Sequence, residues 1–217
     1  MNICGLNRVF EFANALHRNQ YRKGTEIPYI SHLMSVAGIV MEHNQSIEVV
    51  SAALLHDAIE DQGLTWDGSL SNYDNDSDRK SQGGDKSLDR VIGDLFGRDA
   101  LDLIYHLTES KTNCGVPVPW RIRKQSYLNH LFISPSEAVL IAICDKIHNA
   151  RSTLADLNTH GAVTWDKFTA GRDDQIWWYN ELADHFSSRN DLPFSLKVEF
   201  EGLVRRINKC ASISIES

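Results

Sequence analysis

Apolar residues recur along this chain at three- and four-residue spacing, which is the mark of helices that bury one face. Leu6, Val9, Phe10, Ala13, Leu16 and His17 share one such face and predict an amphipathic helix over 6–20. Gly24 and Pro28, in RKGTEIPYI, end it. Further helices are predicted over 31–43 and 46–61. Residues 65–87 are rich in Asp, Ser, Asn and Gly and offer little apolar surface to bury. They predict a mobile insertion rather than a link between domains. Helical periodicity resumes in LDRVIGDLFGRDALDLIYHLT, NCGVPVPW predicts a loop, and RIRKQSYLNHLF another helix. SPSE predicts a sharp helix start, with Ser134 as N-cap, Pro135 at the first helical position and Glu137 completing a capping box. The helix would continue through AVLIAICDKIHNARSTLADL, and DDQIWWYNELADHF and SLKVEFEGLVRRINK predict two more. Strand-like alternation is nearly absent and no repeat is visible. The expectation is an all-α fold in a single domain.

Two places break the apolar pattern with charge. On a continuous helix over 46–61, His56, Glu60, Asp57 and Asp61 would span an arc of about 140°. Leu54, Leu55, Ala58 and Ile59 would occupy the remainder. A helix apolar nearly all round belongs in an interior, and carboxylates there need a partner or a metal. The second place is AVLIAIC, which delivers Asp145 at its end with Asn149 one turn later on the same face. Two apolar helices ending in carboxylate-bearing turns are suited to share one ion. Their His and Asp donors fit manganese, iron or zinc. Taken alone, HDAIED fits equally a buried His–Asp hydrogen bond with no metal.

Charge and composition narrow the partners. The 217 residues carry 22 Lys and Arg against 29 Asp and Glu, a net charge of −7, which argues against nucleic acid as partner. No apolar stretch is long enough for a membrane span and the N-terminus lacks a secretory signal. The four cysteines (4, 114, 144 and 210) have no CxxC spacing and are expected as reduced thiols in a cytoplasmic protein. Within this acidic chain, cations gather in two short stretches, Arg22–Lys23 and WRIRK, the latter giving Arg121, Arg123 and Lys124. Either set suits an anionic small molecule, Arg through bidentate contacts and Lys as a point charge; a solvated helix face is the plainer reading. Trp177, Trp178 and Tyr179 follow helical spacing and are expected in the core rather than against a nucleobase.

The ordered series YRKG…PYISH, ALLHDAIED and DKIHNAR resembles the hydrolase domain of the RelA/SpoT enzymes, within the HD-domain metallohydrolases. It is most similar to their stand-alone form, the small alarmone hydrolases. The resemblance implies that His32, His56, Asp57 and Asp145 hold one divalent metal, typically manganese. It also implies that Glu60 and Asp61 are the catalytic carboxylates, and that Arg22 and Asn149 organise the site and contact substrate. The implied reaction removes the 3′-diphosphate of (p)ppGpp, and the expectation is hydrolysis with no synthetase half; the adenine analogues (pp)pApp are further candidate substrates. Two rivals stand beside it: an HD phosphohydrolase acting on a 5′-nucleotide or NADPH, and a non-catalytic nucleotide sensor. The stretch at 65–87 departs from the family pattern, directly after the carboxylate pair.

Overall fold

The computed structural model describes residues 3–63, 66, 87–113 and 115–213. The predicted insertion at 65–87 lies outside them except for Trp66 and Ser87. The all-α expectation holds: ten α-helices are described, with one two-stranded hairpin of two residues per strand. Among the described residues no helix is long and apolar enough to cross a membrane. The chain divides into two compact units, Met1–Glu109 and Ser110–Ser217.

The first unit contains α1 (Ile3–Leu16), α2 (Ile30–Glu42), α3 (Ile47–Leu55), α4 (Ala58–Gln62), α5 (Leu88–Phe96) and α6 (Arg98–Leu107). Its centre is α3, which packs against α1, α2 and α6. Every residue from Val49 to Leu55 is buried, and Ser51, Ala52 and Ala53 are small enough to let neighbouring helices approach. Ser46 caps α3, its Oγ accepting a long hydrogen bond (3.5 Å) from Val49 N. Gly97 joins α5 to α6 at φ 96°, a conformation that costs other residues strain.

Two sequence expectations are corrected here. Helix α1 stops at Leu16 rather than residue 20. The chain then turns, with Gln20 N donating to His17 O, and enters a hairpin-like loop in which Tyr29 N donates to Gln20 O and Arg22 N to Ile27 O. The helix expected over 46–61 is two helices, because the ladder breaks at His56–Asp57. Asp57 has φ −95° and ψ −1°, off the helical mean. Beside it the His56 ring donates through Nδ1 to Ala53 O at 2.8 Å. A side chain that takes a carbonyl of the preceding turn competes with continuation of the ladder.

The second unit contains β1 (Thr112–Asn113), β2 (Val116–Pro117), α7 (Trp120–Ile133), α8 (Ser136–His160), a 3₁₀ segment (Gly161–Lys167), α9 (Gly171–Ser188) and α10 (Phe194–Ile213). The hairpin lies where the sequence predicted a loop. Helix α8 is buried without interruption from Ala138 to Asp145 and packs along α10. Phe186 and Phe200 meet edge to face at 5.3 Å in the core between α9 and α10. Ser134 does not cap α8 as expected. Its Oγ donates to His130 O, and Arg189 donates to Phe132 O and Ser134 O. The exposed carbonyls at the end of α7 claim these donors, while Glu137 accepts from Ser136 Oγ instead. Cys144 and Cys210 form no disulfide among the described residues.

Candidate metal centre and its surroundings

Helix α2 carries His32 and the end of α3 delivers His56 and Asp57. One donor atom from each of these three residues lies within 4.8 Å of the others. His32 is fully buried and His56 nearly so, whereas Asp57 keeps 22% of its side-chain exposure. His56 Nε2 stands 3.1 Å from Asp57 Oδ2, and His32 Nε2 stands 3.7 Å from the same oxygen. The two imidazole rings meet edge to face at 5.3 Å. Tyr29 OH donates to Asp57 Oδ2 at 2.6 Å and so holds the carboxylate in place.

The hydrogen bond from His56 Nδ1 to a carbonyl fixes the tautomer, because a carbonyl can only accept. A neutral His56 then turns a bare Nε2 lone pair toward the Asp57 carboxylate. Lone pair facing lone pair is repulsive unless a proton or a cation lies between them. Two imidazole nitrogens and a carboxylate oxygen, one ring oriented from behind by a carbonyl, are a donor set that fits a divalent ion.

The proposed catalytic carboxylates follow at once on α4. Glu60 Oε2 accepts from the backbone N–H of Glu109 at 3.1 Å. Asp61 Oδ2 accepts from Gln20 Nε2 at 2.7 Å. Arg22 is half-buried with its guanidinium 5.9 Å from the Tyr29 ring centre, and Lys23 is exposed. His17, which the sequence places only on the apolar face of the first helix, belongs to this region. Its ring is buried, stacks on Tyr29 at 5.3 Å, and bonds through Nδ1 to Gln20 Oε1 at 2.7 Å. Burial holds the His17 pKa below its usual value, against the opposing pull of the Gln20 hydrogen bond and of Asp57 and Asp61. Neither His17 nor Gln20 carried a signal in the sequence, since Gln20 and Asp61 stand 41 residues apart.

In the second unit, Asp145 is buried near the middle of α8. Lys146 Nζ donates to its Oδ2 at 2.6 Å, and Asn149 Nδ2 to its Oδ1 at 2.6 Å. The DKIHN spacing thus brings Asn149 onto Asp145, as the one-turn separation predicted. Lys146, which sequence reasoning did not single out, also lies 5.5 Å from the Tyr127 ring centre. Of the basic group on α7, Arg121 lies 4.3 Å from the Trp177 ring centre and pairs with Asp174. Lys124 stands 5.1 Å from the Trp178 ring centre, and Arg123 is half-buried. Trp178 and Tyr179 are core residues as predicted, while Trp177 is half-buried.

An all-helical chain that gathers His, His and Asp around one point belongs to the class of histidine–aspartate metal proteins. The family profile described as HD domain matches residues 9–176, and the chain belongs to that family. Within it, the chain is 31% identical over 196 residues to mouse (Mus musculus) MESH1, named a guanosine-3′,5′-bis(diphosphate) 3′-pyrophosphohydrolase; the match covers 88% of this chain and 90% of that protein. A probable GTP pyrophosphokinase of Mycobacterium leprae is 36% identical over 91 residues, which are 42% of this chain but only 11% of that longer protein. The solved structure of a metazoan ortholog of SpoT superimposes with a TM-score of 0.67 at 24% identity, covering 93% of this chain and 94% of that one, a likeness of fold.

Proposed function

We propose that this protein is a metal-dependent hydrolase that removes the 3′-diphosphate of (p)ppGpp, releasing pyrophosphate, and that it extends to the adenine analogues. The observation that carries the reading is the convergence of His32, His56 and Asp57 in the first unit, followed directly by the carboxylates Glu60 and Asp61. Membership of the HD family and the likeness to MESH1 support it. His32, His56 and Asp57 would hold a divalent ion, with manganese favoured. Asp145 enters as a fourth ligand through the motif resemblance alone. Bound there, the ion would make water a stronger acid and neutralise phosphate charge.

The residues supply the rest. Tyr29 holds the Asp57 carboxylate, and the Ala53 carbonyl orients His56. Glu60 and Asp61 accept a proton from the attacking water and return one to the ribose 3′ oxygen as its bond to phosphorus breaks. Glu60 accepts from a backbone N–H and Asp61 from an amide. Arg22 and Lys23 offer cationic contacts to the diphosphate, and Arg121, Arg123 and Lys124 are candidates for the same task. Asn149 holds Asp145 by a hydrogen bond. The presence of the carboxylate pair beside the donor cluster supports an enzyme over a non-catalytic sensor.

Pyrophosphate release from ppGpp and ppApp, assayed with manganese and scored against orthophosphate release from 5′-nucleotides and NADPH, tests the reading. Turnover of either alarmone to pyrophosphate is expected. Orthophosphate from the other nucleotides, with both alarmones untouched, would replace it with the rival phosphohydrolase.

A further inference from the structure

The turn after α1 builds a hydrogen-bonded relay that ends on one of the proposed catalytic carboxylates. Gln20 is pinned by its backbone, donating through N to His17 O and accepting at O from Tyr29 N. Among the described residues its side-chain amide has three partners. Oε1 receives His17 Nδ1 and Gln62 Nε2, both at 2.7 Å, and Nε2 donates to Asp61 Oδ2 at 2.7 Å. The amide has one workable orientation, because its reverse would point the carbonyl oxygen at the Asp61 carboxylate. That orientation requires His17 to carry its proton on Nδ1. The other ring nitrogen, Nε2, is buried and has no hydrogen-bond partner among the described residues. The same ring stacks on Tyr29, whose hydroxyl holds Asp57. His17 therefore backs Asp61 through the Gln20 amide.

We infer that Gln20 is a positioning residue for Asp61, and that His17 fixes the orientation of the Gln20 amide, so that the pair governs turnover without touching substrate or metal. This rests on the reading of Asp61 as a proton-transfer group. The Gln20 amide fixes the position of one Asp61 oxygen, and misplacement of a reacting group by about 1 Å costs on the order of 100-fold.

The test compares Gln20→Leu, His17→Leu, His17→Asn and the double variant His17→Leu/Gln20→Leu. Both Leu variants are expected to lower kcat by about 10- to 100-fold. KM and Mn²⁺ affinity should stay within about twofold, since uniform binding is untouched. His17→Asn, whose amide N–H replaces the Nδ1 donor, should recover most of the loss. The double variant should be no slower than Gln20→Leu, because the two act in series. Where Gln20→Leu melts early, Gln20→Met fills similar volume without the polar atoms and carries the same expected loss. Imidazole ¹⁵N chemical shifts of the wild-type protein give a readout independent of activity: the His17 proton is expected on Nδ1. A kcat unchanged by Gln20→Leu, losses that multiply in the double variant, or a proton on His17 Nε2 would each overturn the inference. If the wild type hydrolyses another nucleotide and not ppGpp, only the substrate reading falls. The variants are then ranked on that nucleotide, with the same losses expected.

Discussion

Asp57 and Asp145 each close an apolar run, and the protein treats them in opposite ways. Asp57 ends VVSAALLH at a point where the helix breaks, and its carboxylate faces two imidazole nitrogens contributed by different elements. Asp145 ends AVLIAIC inside an unbroken helix, and both its oxygens are met by donors from the same helix, Lys146 and Asn149. One carboxylate is set among bases, and the other is neutralised by its own neighbours. The lesson is that an apolar run ending in an acid marks a buried charge without saying what compensates it. A break in the ladder frees the side chain to meet long-range partners, whereas continuous helix offers it residues one and four positions on.

The largest effects should come from the runs themselves. Leu55 and Ile143 are both fully buried, each two residues before its aspartate. Leu55→Ala and Ile143→Ala should each cost about 2–5 kcal/mol of stability in urea unfolding. Leu55→Ala is expected to weaken Mn²⁺ binding more than Ile143→Ala, since it loosens the turn that presents two of the donors, His56 and Asp57. Equal weakening by both would erase the distinction drawn between the two runs.

Metal addition sharpens it next. At free Mn²⁺ about 100 times its Kd, the wild type should gain about 2.7 kcal/mol of stability by linkage. Asp57→Ala should abolish that gain in a melting experiment with and without Mn²⁺. In the metal-free protein, Asp145→Ala removes the carboxylate to which the Lys146 side chain, 17% exposed, donates. A cost of about 1–3 kcal/mol is expected from metal-free denaturation curves. No measurable cost would mean that Lys146 and Asn149 are not the compensation they look to be.

The smallest expected effect is on pH. His17 in the first unit and His185 in the second both have pKa values lowered chiefly by burial. A histidine whose folded pKa is depressed leaves stability in full above its ordinary 6.5, where both states are neutral. Below that value the unfolded chain takes up the proton more readily, so stability falls as pH drops toward the folded pKa. Urea midpoints should therefore decline below pH ~6.5. His185→Leu, which sets an apolar group beside Phe132 and Phe186, should shallow the decline.

Helix positions were legible in the sequence because burial imposes a period on it, and the 3.6-residue pattern survives without knowledge of the partners. The break at His56–Asp57 was not, because it is tied to a side-chain hydrogen bond that no residue pattern announces. Ser134 misled for a related reason. A serine between two helices is a cap for either, and the carbonyls ending α7 took it. At the site, His32 was found only through its motif, since nothing local distinguishes a histidine aimed at a metal from one in the core. His17 and Gln20 were missed because their meaning lies in Asp61 and Tyr29, which only the tertiary structure brings beside them.

The central claim is that His32, His56 and Asp57 bind a divalent cation together. Titration of Mn²⁺ into metal-stripped protein, followed by the electron paramagnetic resonance of the free ion, measures this directly for the wild type and for His56→Ala. The account predicts one ion bound per chain, with affinity weakened at least 100-fold by the substitution, about the upper end of the loss caused by removing an outer hydrogen-bond partner. A wild-type protein that leaves manganese free, or a variant that binds it as tightly as the wild type, would contradict it.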